Sequence, residues 1–316
     1  MSGSLRAGAW RRHTASMAEP RRRGATTGTL LRLAAFTTDP IGGNPAGVWI
    51  GAALPADSEM QRIATEVGYS ETAFIAPDGS GLPGRFRIRY FSPLAEVPFC
   101  GHATIASGVA LAERGLVAPA ARERDPREIV LTTNAGPVAV SAVTGDDGLV
   151  RATLTSVATW VREADPALLA GCLGLLGWRA DELDPGLPPA VAFAGAKHLI
   201  LAARDLGRLA LLDYPFDALQ ALMLEHDLTT IQLVWREGPD RFRARDPFPV
   251  GGVVEDPATG AAAAALGAYL RERGEISAPA TFEIVQGVEM GRPSRLTVSI
   301  APGEAGVRVS GNAVPI

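Results

Sequence analysis

The sequence predicts an α+β fold of two similar halves, each a curled mixed or antiparallel sheet around one central helix. Three observations carry this. Strand-like and helix-like segments do not alternate one for one, which argues against a doubly wound sheet. Two helical stretches, 101–114 and 257–273, are built mostly of small apolar residues, and Ala261-Ala-Ala-Ala-Ala-Leu-Gly-Ala-Tyr-Leu270 is apolar all the way round. Such a helix is buried on every side, and its small side chains let strands approach closely, as inside a curled sheet. The order of segments is also comparable in each half: strands, a turn, one small-residue helix, more strands.

Taken in order, residues 1–28 are rich in Arg, Ser, Gly and Ala without a clear period and read as a disordered leader. A first strand follows over 29–36, then a turn-rich loop, Asp39-Pro40-Ile41-Gly42-Gly43-Asn44-Pro45. Residues 57–68 read as a helix capped by Asp57 or Ser58, with Met60, Ile63, Ala64 and Val67 on its apolar face. Segments 71–76 and 85–91 form a hairpin, the second alternating with period two. The loop between them matches G-x-G-x-x-G over Gly79–Gly84, but it contains Pro83 and leads into a strand, so it is no dinucleotide fingerprint.

After helix 101–114 come strands at 128–133, 137–143 and 149–155, a helix near 166–176 and a Pro-rich loop at 184–189. Strand 197–203, a helix near 215–226, strands 230–236 and 241–245, helix 257–273 and strands 281–286, 295–300 and 306–311 complete the chain. At 316 residues the chain exceeds the size at which one core keeps growing. The polar turn at 144–148 therefore divides an N-terminal domain, 29–144, from a C-terminal domain, 148–304, with strand 305–316 free to return to the first.

Composition excludes several functions. The net charge is −4, but the leader carries six Arg against one Glu, leaving −9 on the body, which is not a nucleic-acid surface. Lys197 is the single lysine and so the single candidate for Schiff-base chemistry, and no Gly-Lys-Ser/Thr phosphate loop exists. Two cysteines, Cys100 and Cys172, are too few for a disulfide framework or a thiolate metal site, and a reducing, cytoplasmic setting fits them. His13, His198 and His226 show no ligand spacing, so no metal is expected. No apolar run reaches the length of a membrane span.

Two stretches offer chemistry. Phe99-Cys100-Gly101-His102-Ala103-Thr104 and Glu255-Asp256-Pro257-Ala258-Thr259-Gly260-Ala261 each place a polar group and a glycine at the start of a small-residue helix. Two helix N-termini, each with unpaired N–H groups and partial positive charge, would face each other and grip an anion such as a carboxylate. By local chemistry Asp256 and Pro257 read as N-cap and first helical residue. Cys172 sits in an apolar segment, so a two-thiol mechanism is not expected, and Cys100 reads as a packing residue or minor site contact.

Gly43-Asn44-Pro45-Ala46, Ser70-Glu71-Thr72-Ala73-Phe74, Cys100-Gly101-His102-Ala103-Thr104, Glu255-Asp256-Pro257-Ala258-Thr259-Gly260 and Gln286-Gly287 together resemble the signature set of the PhzF-like family of phenazine biosynthesis. That family is similar in fold to diaminopimelate epimerase. The resemblance implies a cofactor-independent isomerase with its site between two domains, and a homodimer. It implies Glu71 as the acid/base residue, with His102 and Asp256 as partners, and Ser70, Gly101, Gly260 and Ala261 around a small carboxylate-bearing substrate. Ala261 stands where the commoner family pattern has serine. Two alternatives remain open at this point: an amino-acid racemase or epimerase, and a non-catalytic binder of small acids.

Overall fold

The computed structural model describes residues 27–118, 122 and 125–316; the leader expected at 1–28 lies outside them except for its last two residues. Chain order runs β1 (Gly28–Ala35), β2 (Asn44–Gly51), α1 (Asp57–Val67), β3 (Glu71–Pro77), β4 (Arg85–Phe91), β5 (Glu96–Val97), α2 (Gly101–Glu113), β6 (Arg127–Thr133), β7 (Gly136–Thr144) and β8 (Val150–Thr155). It continues β9 (Trp160–Glu163), α3 (Pro166–Leu176), β10 (Ala190–Phe193), β11 (Lys197–Ala202), α4 (Leu206–Ala210), α5 (Phe216–Glu225), β12 (Thr230–Gly238) and β13 (Arg241–Pro247). Then follow β14 (Glu255–Asp256), α6 (Gly260–Glu272), β15 (Ala280–Gln286), β16 (Ser294–Ile300) and β17 (Arg308–Pro315).

The sheet is mixed, as the segment order predicts. β1 pairs antiparallel with β2, β2 runs parallel to β3, β3 and β4 form the expected hairpin, β4 runs parallel to β6, and β6, β7 and β8 form an antiparallel meander. β17 arrives from the far end of the chain and lies antiparallel to both β8 and β1, so this series of pairings returns to its start. A second series links β9, β10, β11, β12, β13, β15, β16 and β17, parallel at β11–β12 and β13–β15. Backbone hydrogen bonds from Ser156 N to Val307 O and from Thr159 N to Ala305 O lay the segment before β9 beside the one before β17.

Helix α2 packs against β1, β2, β3, β7, β8 and β17, and α6 against β9, β10, β11, β16 and β17. Every residue of α2 from His102 to Ala112 is buried, and so is α6 from Ala262 to Leu270. The small side chains are a steric requirement: a Cβ at Gly108 would lie 2.9 Å from Val140, and one at Gly267 2.9 Å from both Val298 and Val307. A second core of Leu168, Leu199, Leu201, Leu219, Met223, Ile231 and Leu233 joins α3 and α5 to the other face of β11 and β12.

Two expected helix starts differ. α1 begins after Ala56 and has no side-chain cap, because Asp57 is already helical and its carboxylate is turned to Arg89, 2.6 Å away. α6 begins at Gly260 and not at 257. Asp256 is still extended, its Cα paired across β13–β14 with Asp246, and Thr259 takes the N-cap position. Strands β2, β9 and β10 have no counterpart in the sequence reading. β2 opens with Asn-Pro and β10 follows a Pro-rich loop, both signals that usually mark turns.

Gly287, which follows β15, has φ +76°, and a Cβ there would meet the backbone oxygens of Arg292 at 2.5 Å and Pro257 at 2.7 Å. We expect Gly287→Ala to lower stability by about 1–3 kcal/mol, from the left-handed backbone alone before the clash is counted. Urea unfolding measures it, and an unchanged midpoint would show that the turn relaxes freely.

Candidate active site

The first residues of α2 and α6 abut. A Cβ built on Gly101 would sit 3.6 Å from Gly260 Cα and 3.8 Å from Ala261 N, van der Waals contact distances that place the two helix ends against each other. Neither end is closed by a side-chain cap, whereas Asp165 caps α3 and Asp205 caps α4. Their leading N–H groups therefore remain able to bind an anion.

Around the α2 end, four side chains from the starts of β3 and α2 converge. Glu71 is the first residue of β3, delivered by the parallel β2–β3 pairing opposite Ala46. Its Oε2 lies 3.5 Å from His102 Nε2 and receives the Cys100 thiol at 3.5 Å. Cys100 Sγ is in turn 3.4 Å from His102 Nδ1, and Ser70 Oγ is 3.5 Å from Nε2. Burial first, and then the charge of Glu71, push the Cys100 thiol well above its ordinary value. It thus stays a thiol, a donor to Glu71 and not a nucleophile.

Among the described residues, Glu71, Cys100 and His102 are also a set whose donor atoms lie within 4.8 Å of one another, as a metal would require. The local spacing of histidines could not reveal it, because the strand and the helix meet only in the fold. The same burial and negative charge that hold the thiol protonated oppose the thiolate a metal needs.

At the α6 end, Asp256 is buried and held by neighbours from three segments. Asn44 Nδ2 donates to its Oδ1 at 2.7 Å and to Ala258 O at 3.0 Å, Thr259 Oγ1 donates to Oδ2 at 2.6 Å, and Gln286 Nε2 donates to its backbone O at 2.7 Å. Burial pushes Asp256 up to about 6, with the charge of Glu71 adding to it and His102, Thr259 and Asn44 opposing. His102 and Glu71 are thus close enough to act on Asp256, and the three expected site residues share one electrostatic environment. Asn44 and Gln286 are not among the expected site residues. The motifs around Asn44 and Gln286 are visible in sequence, but their reach to Asp256 is a property of the fold.

The Asp256 shift has a stability consequence with a definite sign. A carboxyl that holds its proton more tightly folded than unfolded gains protons on folding between its two pKa values, so stability falls as pH rises from the ordinary 3.8 to about 6. The loss is of the order of 2–3 kcal/mol. We expect Asp256→Asn to change the pH dependence of stability between about pH 4 and pH 7 by this amount, read as the difference between the urea unfolding free energies of the two proteins. A slope unchanged in the variant would assign the effect to other groups.

Fold and site together define a sheet-rich protein with a cluster of buried titratable side chains where two helix N-termini meet. The model of the phenazine biosynthesis-like protein family (PhzC-PhzF) matches residues 33–316. The chain belongs to that family. It is 32% identical over 285 residues to the trans-2,3-dihydro-3-hydroxyanthranilate isomerase of Pseudomonas fluorescens, covering 89% of this chain and 94% of that one. It is 34% identical over 281 residues to an uncharacterized isomerase of Deinococcus radiodurans, covering 85% of each. Among solved structures, a PhzF-family phenazine biosynthesis protein of Bacillus anthracis superposes with a TM-score of 0.78 at 25% identity, covering 91% of this chain and 96% of that one.

Proposed function

We propose that this chain is a cofactor-independent isomerase that moves a proton between carbons of a small carboxylate-bearing metabolite, similar in reaction to its dihydro-hydroxyanthranilate isomerase relatives. Glu71 takes the proton and returns it. His102 and Asp256 hold or relay it, and the uncapped ends of α2 and α6, with Ser70, Gly101, Gly260 and Ala261, receive the substrate carboxylate. The observation that carries this reading is the contact of Glu71 Oε2 with His102 Nε2 and the Cys100 thiol, 3.5 Å from each, beside two meeting helix ends. We further read the fold as two similar domains, 29–144 and 148–304, each a curled sheet around α2 or α6, with the C-terminal strand completing the first. A homodimer in the cytoplasm completes the reading.

The test is a screen of small cyclic and amino-acid carboxylates in D₂O, scored by mass increase at carbon, with Glu71→Gln as control. A racemase or epimerase is the second reading, favoured by one observation: Asp256, pushed up to about 6, is a second group able to exchange a proton near neutrality. Deuterium entering a chiral carbon with loss of optical rotation supports that reading against the isomerase. A non-catalytic binder, for which Ala261 is the argument, would bind ligand and exchange nothing in either protein.

A further inference from the structure

The buried side chains behind Asp256 carry more polar chemistry than the proposed reaction uses. Asp246 is the direct partner of Asp256 in the β13–β14 pairing. Side chains so paired share a face at roughly 4.5–5.5 Å, and two like charges there repel. Asp246 is wholly buried; its Oδ1 accepts from Thr230 Oγ1 at 3.2 Å, while Oδ2 has no hydrogen-bond partner. Behind Thr230 stands His198, also wholly buried, with Nδ1 2.8 Å from the same hydroxyl and Nε2 unpartnered.

We propose that Asp246 is a positioning residue, whose buried carboxyl opposite Asp256 acts as a donor through Thr259 to hold the Asp256 carboxylate for the reaction. The role of Asp256 in that statement rests on the function proposed above.

The proton inventory supports it. Thr230 has one hydroxyl proton and gives it to Asp246, so its oxygen accepts from His198 Nδ1–H. The His198 ring is neutral, because burial pushes it down to about 3. Thr259 gives its one proton to Asp256 Oδ2, and its oxygen accepts from Gln286 Nε2 at 3.1 Å with a second lone pair to spare. Burial first, and next the charge of Asp256, push Asp246 well above its ordinary value; Glu255 adds to this, and the hydroxyls of Thr230 and Thr259 oppose it. A proton on Oδ2 turns the unpartnered oxygen into a donor, and the Thr259 hydroxyl is among the groups that act on this carboxyl. The charged and titratable groups around the pair are Glu71 of β3 and Cys100 and His102 of α2 on the Asp256 side, with His198 of β11 and Glu255 of β14 on the Asp246 side.

The test uses the ligand-free full chain with ¹³C-carboxyl aspartate, following the Asp256 resonance, assigned with Asp256→Asn, against pH. In Asp246→Leu its midpoint should rise by about one pH unit, the worth of the neutral hydrogen bond that supports Thr259. In Asp246→Asn, whose amide donates from the same place, it should hold within about half a unit. The infrared carbonyl band of an undissociated acid should persist in the wild type at about pH 8 and vanish in Asp246→Asn. A midpoint that falls in both variants makes Asp246 a repelling charge and overturns the proposal, as does a midpoint unmoved in both or a band that survives in Asp246→Asn. Should Asp246→Leu fail to fold, the band and the Asn titration decide. No substrate is needed, so the result stands apart from the outcome of the D₂O screen.

Discussion

Replacing Glu71 by glutamine should lower carbon-bound proton exchange by about 10² to 10⁴ while leaving ligand binding intact. The amide has the shape of the carboxylate and can still accept the Cys100 thiol, so the packing of β3 against α2 is preserved. What it loses is the capacity to take up a proton. The carboxylate's contacts with His102 and Cys100 are both made by Oε2, at 3.5 Å each, so on the proposed function Oε1 is the oxygen to meet a substrate carbon. The fall should therefore appear in kcat with KM little changed, the sign of an interaction made in the transition state and not in the bound complex. Glu71→Asp, which withdraws the same chemistry by one methylene, should fall between the two. Exchange within about tenfold of wild type in Glu71→Gln would remove Glu71 from the chemistry and leave Asp256 as the remaining acid.

Much of this is legible in the sequence. The helices 101–114 and 257–273 announce their burial through composition, because a helix with no polar face has no place at a surface. The hairpin 71–91 shows itself through the period-two alternation of 85–91, and strands 128–133 and 137–143 through the turn residues between them. The parallel pairings β2–β3 and β13–β15 do not, since a parallel register is set by partners far along the chain and not by any local pattern. The same division runs through the site. Glu71, His102 and Asp256 stand in motifs at element boundaries, whereas the hold of Asn44 on Asp256 spans 212 residues and looks like an ordinary turn in sequence. Local reasoning also misassigned Asp256. Asp-Pro before an apolar run is a strong helix-start signal, yet here long-range hydrogen bonds from Asn44 and Gln286 hold Asp256 in a strand pairing, and the helix begins only at Gly260. Asp246 and His198 carry no local signal, because their neighbours exist only across strands.

Arg245→Ala should be the most destabilising single change near the site, costing about 3–5 kcal/mol. The Arg245 guanidinium grips Glu255 with both arms, Nε to Oε1 at 2.9 Å and Nη2 to Oε2 at 2.6 Å, and its Nη1 donates to Ala210 O at 2.7 Å. The two side chains are only 10% and 4% exposed, so truncating one abandons the other's charge in a place water does not reach. A pair at the surface would be worth a fraction of this. The position adds a functional effect: Arg245 and Glu255 each adjoin one member of the Asp246–Asp256 pairing, so loosening the fork shifts the strand that presents Asp256 to Glu71 and His102. Replacing both partners by apolar residues of similar volume, Arg245→Met with Glu255→Leu, should recover most of the lost stability, because no charge is then stranded. Urea unfolding of the single and double variants makes the comparison. A single-variant loss below about 1 kcal/mol would mean that water or a neighbouring side chain reaches Glu255 once the arginine is gone, and that the fork is no more than a surface ion pair.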